Sequence, residues 1–210
     1  MSTRTLFSKL GRLAVAAAVL LLASACGGEL LRTGRAPVYL IINAITLTNG
    51  ANNNSGGSLN SDVQTLVDVT VAGVTVKQPT VFDDLGQATV QVASKNEALA
   101  TTVLNSITIT RYHVSYRRSD GRNTPGVDVP FAFDGAVSAT ISAGGSQTVQ
   151  FTAVRRQAKL EPPLKNMVGA GGLIIVSTVA DVTFYGRDQN GNEVTVSGSF
   201  DVTFADFGDS

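Results

Sequence analysis

Histidine and cysteine each occur once in the 210 residues, as His113 and Cys26, so the chain holds no disulfide, no CxxC redox pair and no Cys/His zinc site of its own. His113 lies between Tyr112 and Val114 in a strand-like stretch. A general base needs a positioned nucleophile and an orienting partner, and no GxSxG elbow supplies them, so a solvated or sheet-packed histidine is expected. Asp188-x-Asn190-x-Asn192 sets oxygen side chains at alternate positions of a turn, as a calcium loop does for a hard cation. The rest of that pattern fails: Glu193 stands where glycine is required at the sixth place, and Ser199 where glutamate is required at the twelfth. An ordinary hairpin turn is the competing reading, and these three residues form only a weak calcium candidate. Asp83 and Asp84 are adjacent and would point to opposite faces of an extended stretch, the wrong geometry for a carboxylate pair; they are expected in a loop. Arg117-Arg118 and Arg155-Arg156 have Arg111, Arg122 and Lys159 near them in sequence. If their strands are neighbours, the doublets make an anion patch able to fork onto carboxylate or phosphate groups of envelope glycans or lipids. The alternative is a solvated rim paired locally with Asp120 and Glu161. The polar stretch Asn49 to Ser61 (NGANNNSGGSLNS) is the remaining candidate, a loop too rich in Gly, Asn and Ser to build core, and either a binding tip or a plain connector. No catalytic residue, cofactor or firm metal site follows from these patterns, and the expectation is a protein that is not an enzyme.

The elements that would carry these residues begin after a leader. Arg4, Lys9 and Arg12 precede an uninterrupted apolar run from Leu13 to Ala25, 13 residues long. A helix of that length spans about 20 Å, short of a bilayer core of about 30 Å, so residues 1–25 read as a helical signal peptide and not as a spanning helix. Ala23-Ser24-Ala25-Cys26 closes the run and resembles the lipobox of bacterial lipoproteins, with Ala23 where that family prefers leucine and Leu22 one step earlier. The resemblance implies cleavage before Cys26 and acylation of its thiol; a free thiol at the start of a soluble periplasmic protein is the alternative. Two or three acyl chains give stable anchoring that a single chain does not. Gly27 follows the cysteine, and in the lipoprotein family the lack of aspartate there points to the outer membrane. The expected location is therefore the cell envelope, lipid-anchored, on the periplasmic or surface face.

Over the whole chain 16 Lys and Arg balance 16 Asp and Glu, and 43% of residues are hydrophobic, which excludes disorder and a strongly basic nucleic-acid binder. Loss of the leader, with its three cations and no acid, leaves 13 cationic against 16 acidic side chains, a net of −3. Residues 26–36 read as the lipidated cysteine and a flexible tether.

From Val38 onward, Val, Ile, Thr, Phe and Tyr run in short segments separated by Gly, Asn, Asp, Ser and Pro, the signature of strands. In Val194 to Phe204 the apolar Val194, Val196, Phe200, Val202 and Phe204 share one parity, with Gly198 as a bulge or a close backbone approach. Asp188 to Asn192 then turns a terminal hairpin. Between Ser106 and Tyr116 the apolar parity changes, which predicts a one-residue bulge near Thr110. The spacing predicts strands near 37–48, 63–76, 87–94, 106–118, 127–132, 136–142, 147–156, 173–187 and 193–206. Gln157 to Gly172, with Glu161-Pro162-Pro163, is expected to cross between sheets. The fold class is thus all-β, a single antiparallel sandwich of about nine strands over residues 37–207. In strand number, spacing and its closing hairpin it resembles bacterial immunoglobulin-like or fibronectin-III-like domains, without the core cysteines and tryptophan of antibody domains. The function expected from leader and scaffold together is an envelope module that binds a protein or glycan partner. A structural or assembly subunit of an envelope complex is the alternative, and an unrecognised hydrolase is the remaining one.

Overall fold

The computed structural model describes residues 34–96, 98 and 102–208. Cys26, the expected signal peptide and most of the expected tether lie outside these residues. From Ala36 onward the chain forms one compact unit. Eleven strands arise in order: β1 (Val38–Thr48), β2 (Ser55–Gly56), β3 (Ser58–Asp62), β4 (Thr65–Val71), β5 (Val74–Thr80), β6 (Asp84–Ser94), β7 (Ile107–Arg117), β8 (Phe133–Ile141), β9 (Ser146–Val154), β10 (Val176–Asp188) and β11 (Glu193–Ala205). Nine of them make two facing sheets, ordered β2-β1-β6-β9 and β3-β11-β10-β7-β8. The protein is an all-β sandwich. Its pairings are antiparallel except that β3 runs parallel to β11. β4 and β5 form a separate two-stranded ribbon.

Alternation decides which side of each strand is buried. Phe200, Val202 and Phe204 of β11, Ala180, Val182 and Phe184 of β10, and Val114 and Tyr116 of β7 fill the core from one sheet. Leu40 and Leu47 of β1, Val90 and Val92 of β6, and Val149 and Phe151 of β9 fill it from the other. The parity change in β7 is a real bulge: Tyr185 pairs with Arg111 and Gly186 with Ile109, so Thr110 is left over. A second bulge in β1 skips Asn43 and lets Ile42 and Ile45 both face inward. Those two side chains explain Gly198, where a Cβ would sit 2.9 Å from Ile45 Cδ1 and 3.0 Å from Ile42 Cδ1. The terminal hairpin is β10–β11.

Three expected segments differ. The predicted strand 63–76 is broken by Ala72-Gly73, both left-handed at φ 52° and 82°, and the chain doubles back as β5. Residues 127–132 are not a strand, because the Thr124 carbonyl gathers the amides of Val127, Asp128 and Val129 into a tight turn and the Thr124 amide donates to the Asp128 carboxylate. The Asn49 to Ser61 stretch is not a plain loop but contains β2 and most of β3. Gln157 to Gly172 does cross between the sheets, and it also supplies buried side chains: Ala158 and Lys159 from the single-turn helix α1 (Arg156–Lys159) and Leu164 and Met167 from a 3₁₀ turn.

Ala72 occupies a left-handed position that costs a residue with a Cβ about 1 kcal/mol, less for asparagine. Ala72→Asn, giving the Asn-Gly pair that such two-residue turns favour, is expected to stabilise the ribbon by about 0.5–1 kcal/mol. Slower hydrogen exchange at Val69 and Val71 would show it; unchanged or faster exchange would contradict it.

Candidate functional site

The basic doublets lie at the ends of strands of different sheets, β7 and β9, and their side chains are engaged by different partners. Arg117 Nε donates to Asp181 Oδ2 at 2.9 Å, and Ser199 Oγ donates to the other oxygen at 2.5 Å. Burial would raise the Asp181 carboxyl, but these two hydrogen bonds outweigh it and hold it below the ordinary range. Arg118 forks onto Asp120 through Nε at 3.1 Å and Nη2 at 2.7 Å, and Arg122 approaches the same carboxylate. Arg155 lies over the Phe133 ring, 5.1 Å from its centroid, with its Nε buried and without a hydrogen-bond partner. Arg156 donates its backbone N–H to the Asp83 carboxylate.

Hydrogen bonds from Arg118, then Arg122, hold Asp120 well below the usual carboxylate range. A carboxyl depressed by folding contributes stability above its unfolded value and loses it as pH falls through the folded one. A ¹³C-detected titration should find Asp120 still ionised where ordinary aspartates protonate, and Arg118→Gln should move it upward. An ordinary titration in the wild type would refute the fork in solution.

His113 is on the outer face of its sheet, with Nδ1 3.3 Å from Asp134 Oδ1, an oxygen it shares with Arg111 Nη1 at 2.8 Å. The Arg111 guanidinium also stacks over Tyr185 at 3.9 Å. At the calcium candidate, Asp188 Oδ1 accepts the amides of Asn190 and Asn192 at 2.9 and 2.8 Å, and its Oδ2 accepts Asn192 Nδ2 at 2.7 Å. Asn192 thus presents a donor to the carboxylate, and Asp188 serves the turn itself. Among the described residues, no group of three or more His, Cys, Asp or Glu converges on a metal position.

Asp83 and Asp84 diverge as expected, but Asp84 is no loop residue. It begins β6 fully buried, and Lys159 Nζ meets its Oδ2 at 2.8 Å. Ser61 Oγ donates to Oδ2 at 2.6 Å and the Gly50 amide to Oδ1 at 2.9 Å. One carboxylate therefore joins the segment after β1, β3, β6 and α1. Beside it, Tyr116 donates its hydroxyl to the Ala153 carbonyl at 2.7 Å, and burial raises that phenol far above its ordinary value.

This network underlies the polar stretch, which folds into a wall. Asn49 is buried; its Oδ1 accepts the Ala51 amide at 2.7 Å and its Nδ2 donates to the Asn60 carbonyl at 2.5 Å. Asp62 Oδ2 accepts Thr65 Oγ1 at 2.9 Å and its Oδ1 accepts the Phe207 amide at 3.2 Å, tying the foot of β4 to the segment after β11. Between these segments is a cleft of about 680 Å³, lined by Asn52, Asn54 and Ser55, by β3, by Thr65 to Val67 and by Phe207. Amides, hydroxyls and a carboxylate line it together with apolar Leu66, Val67 and Phe207, a set suited to recognition by hydrogen bonding and burial. The sequence pointed to the 49–61 wall. It held no sign of Phe207 or of the foot of β4, which arrive only through the fold.

Comparison with known protein families, curated proteins and solved structures finds no match for this chain. Among the described residues no helix is long and apolar enough to cross a membrane.

Proposed function

We propose that the chain is an exported, lipid-anchored, non-enzymatic envelope protein whose β-sandwich is a binding module, with the polar cleft as its binding surface. The observation that carries this reading is the cleft's position. β1 opens where Val38 pairs with Ser94 and closes where Thr48 pairs with Leu85, and Asn49 then starts the cleft wall. Eleven extended residues cover about 36 Å. The expected tether enters the sandwich at the opposite end of that strand from the cleft wall. The lipobox-type leader and the resemblance to immunoglobulin-like domains support the same reading.

Two measurements test it. Intact mass of the membrane-extracted protein should show a mature chain beginning at acylated Cys26, while Cys26→Ser should be recovered without acyl mass in soluble fractions. Immobilised sandwich should retain an envelope protein or glycan that Asn54→Trp, which fills the cleft from an exposed position, no longer retains. An unacylated wild type overturns the anchor, and retention indifferent to Asn54→Trp overturns the cleft.

A further inference from the structure

The β4–β5 ribbon is joined to no other strand, and its two faces differ. Cross-strand register puts Val67, Val69, Val71, Val74 and Val76 on one side with Gln78, and Asp68, Thr70, Thr75 and Lys77 on the other with Leu66 and Pro79 at its foot. Val71, Val74 and Val76 are 58%, 63% and 42% exposed. Val67 and Val69 are half-buried, so the uncovered part is the three valines nearest the turn; a two-stranded hairpin is marginal in water by itself, and that apolar end is a surface that binding would cover.

The turn fixes which backbone groups face outward. With Ala72 and Gly73 both left-handed, Val71 and Val74 flank a two-residue turn and form a hydrogen-bonded pair, from which bonded and non-bonded pairs alternate. Leu66, Asp68 and Thr70 therefore direct their N–H and C=O to the outer edge of β4, and Thr75, Lys77 and Pro79 to that of β5. Pro79 has no N–H to offer, and Lys77 places a long cation there, the devices that close an edge to further pairing. β4 carries neither proline nor lysine. Its foot, Thr65 to Val67, is also a wall of the cleft, so open edge and cleft are continuous.

We propose that the ligand of this module is an extended polypeptide segment of a partner protein. It adds as a strand to the outer edge of β4, carries apolar side chains at alternate positions over the valine face, and seats one end in the cleft. The inference rests on the binding-module reading and specifies its ligand. A second copy of the chain fits less well. The ribbon is about 24 Å long and two strands wide, roughly 240 Å² on a face, far short of the roughly 800 Å² per partner of a stable interface. A single added strand instead gains edge hydrogen bonds, the apolar row and the cleft together.

The test selects a phage-displayed library of random twelve-residue peptides on the folded Cys26→Ser protein and measures the enriched peptides by fluorescence anisotropy. Enrichment of sequences with apolar residues at every second position is expected. Asp68→Pro removes an outward N–H and leaves the bonds between β4 and β5, as Pro79 already does, and should weaken binding about tenfold or more. Lys77→Pro, opposite it on the closed edge, should leave binding unchanged. Hydrogen exchange on the wild-type complex gives a reading that needs no variant: Leu66, Asp68 and Thr70 should gain protection. Failure to enrich any peptide, protection gained elsewhere, or equal loss in both proline variants overturns strand addition. A neutral glycan retained in the cleft, with no peptide bound, overturns it and leaves the module reading standing. Concentration-dependent dimerisation abolished by Asp68→Pro overturns it in favour of a second copy.

Discussion

Lys159→Met should lower the stability of the sandwich by about 3–5 kcal/mol, a fall in Tm of roughly 10 °C or more. Methionine keeps most of the length and packing of the lysine stem, so the loss isolates the charge. Asp84 is fully buried and Lys159 is 1% exposed at its side chain, leaving no water to take over from the ammonium. Ser61 and Gly50 would still donate to the carboxylate, but two neutral donors do not offset a buried negative charge. The double variant Asp84→Leu with Lys159→Met should recover part of the loss, because no unpaired charge remains. Recovery should be incomplete, since the Ser61 hydroxyl and Gly50 amide then lack their acceptor, at about 1–3 kcal/mol for unsatisfied buried groups. Urea unfolding of the three variants measures these differences. A Lys159→Met cost under about 1 kcal/mol would mean that the pair is not closed to water. Gly50 and Ser61 also carry cleft-forming segments, so the single variant should speed hydrogen exchange at Ala51 and Asn52, linking the buried pair to the binding surface.

How far the sequence foretold this arrangement depends on the range of the interaction. Alternation is local, and it placed β7 with its Thr110 bulge, β10, β11 and their joining turn, because each strand's buried face is written in its own parity. The Ala72-Gly73 turn escaped that reading because alanine is an uncommon residue at positive φ, although the valines change parity there, odd through Val71 and even from Val74. Asp84 and Lys159 are 75 positions apart, and nothing near either of them distinguishes a buried ion pair from two surface charges. Arg117 and Arg155 show the reverse. Their doublets looked alike in sequence, but one guanidinium is on the outer face against Asp181 and the other lies over the Phe133 ring. The cleft was half legible, since the asparagine-rich wall is one stretch, whereas Phe207 reaches it only because β11 runs beside β3.

At the core's centre, Phe151→Ala should cost about 3–5 kcal/mol. The Phe151 ring packs edge-on to Tyr112 at 5.9 Å and Phe184 at 5.6 Å and tilts against Phe200 at 5.9 Å, so its removal strips contacts from three rings that cannot all move inward. The same ring covers Gly86, its partner across β6 and β9, where an added Cβ would stand 2.3 Å from Phe151 Cζ. Gly86→Ala alone should therefore destabilise by about 1–3 kcal/mol through overpacking. In the Phe151→Ala background the same methyl enters the vacated space, and its cost should vanish or reverse. Because the two residues touch, the coupling should reach about 1 kcal/mol or more, the whole of the single penalty. Denaturant unfolding of the four proteins closes this cycle. Additive costs would place the ring away from Gly86 in solution and break the inter-sheet packing on which the core depends.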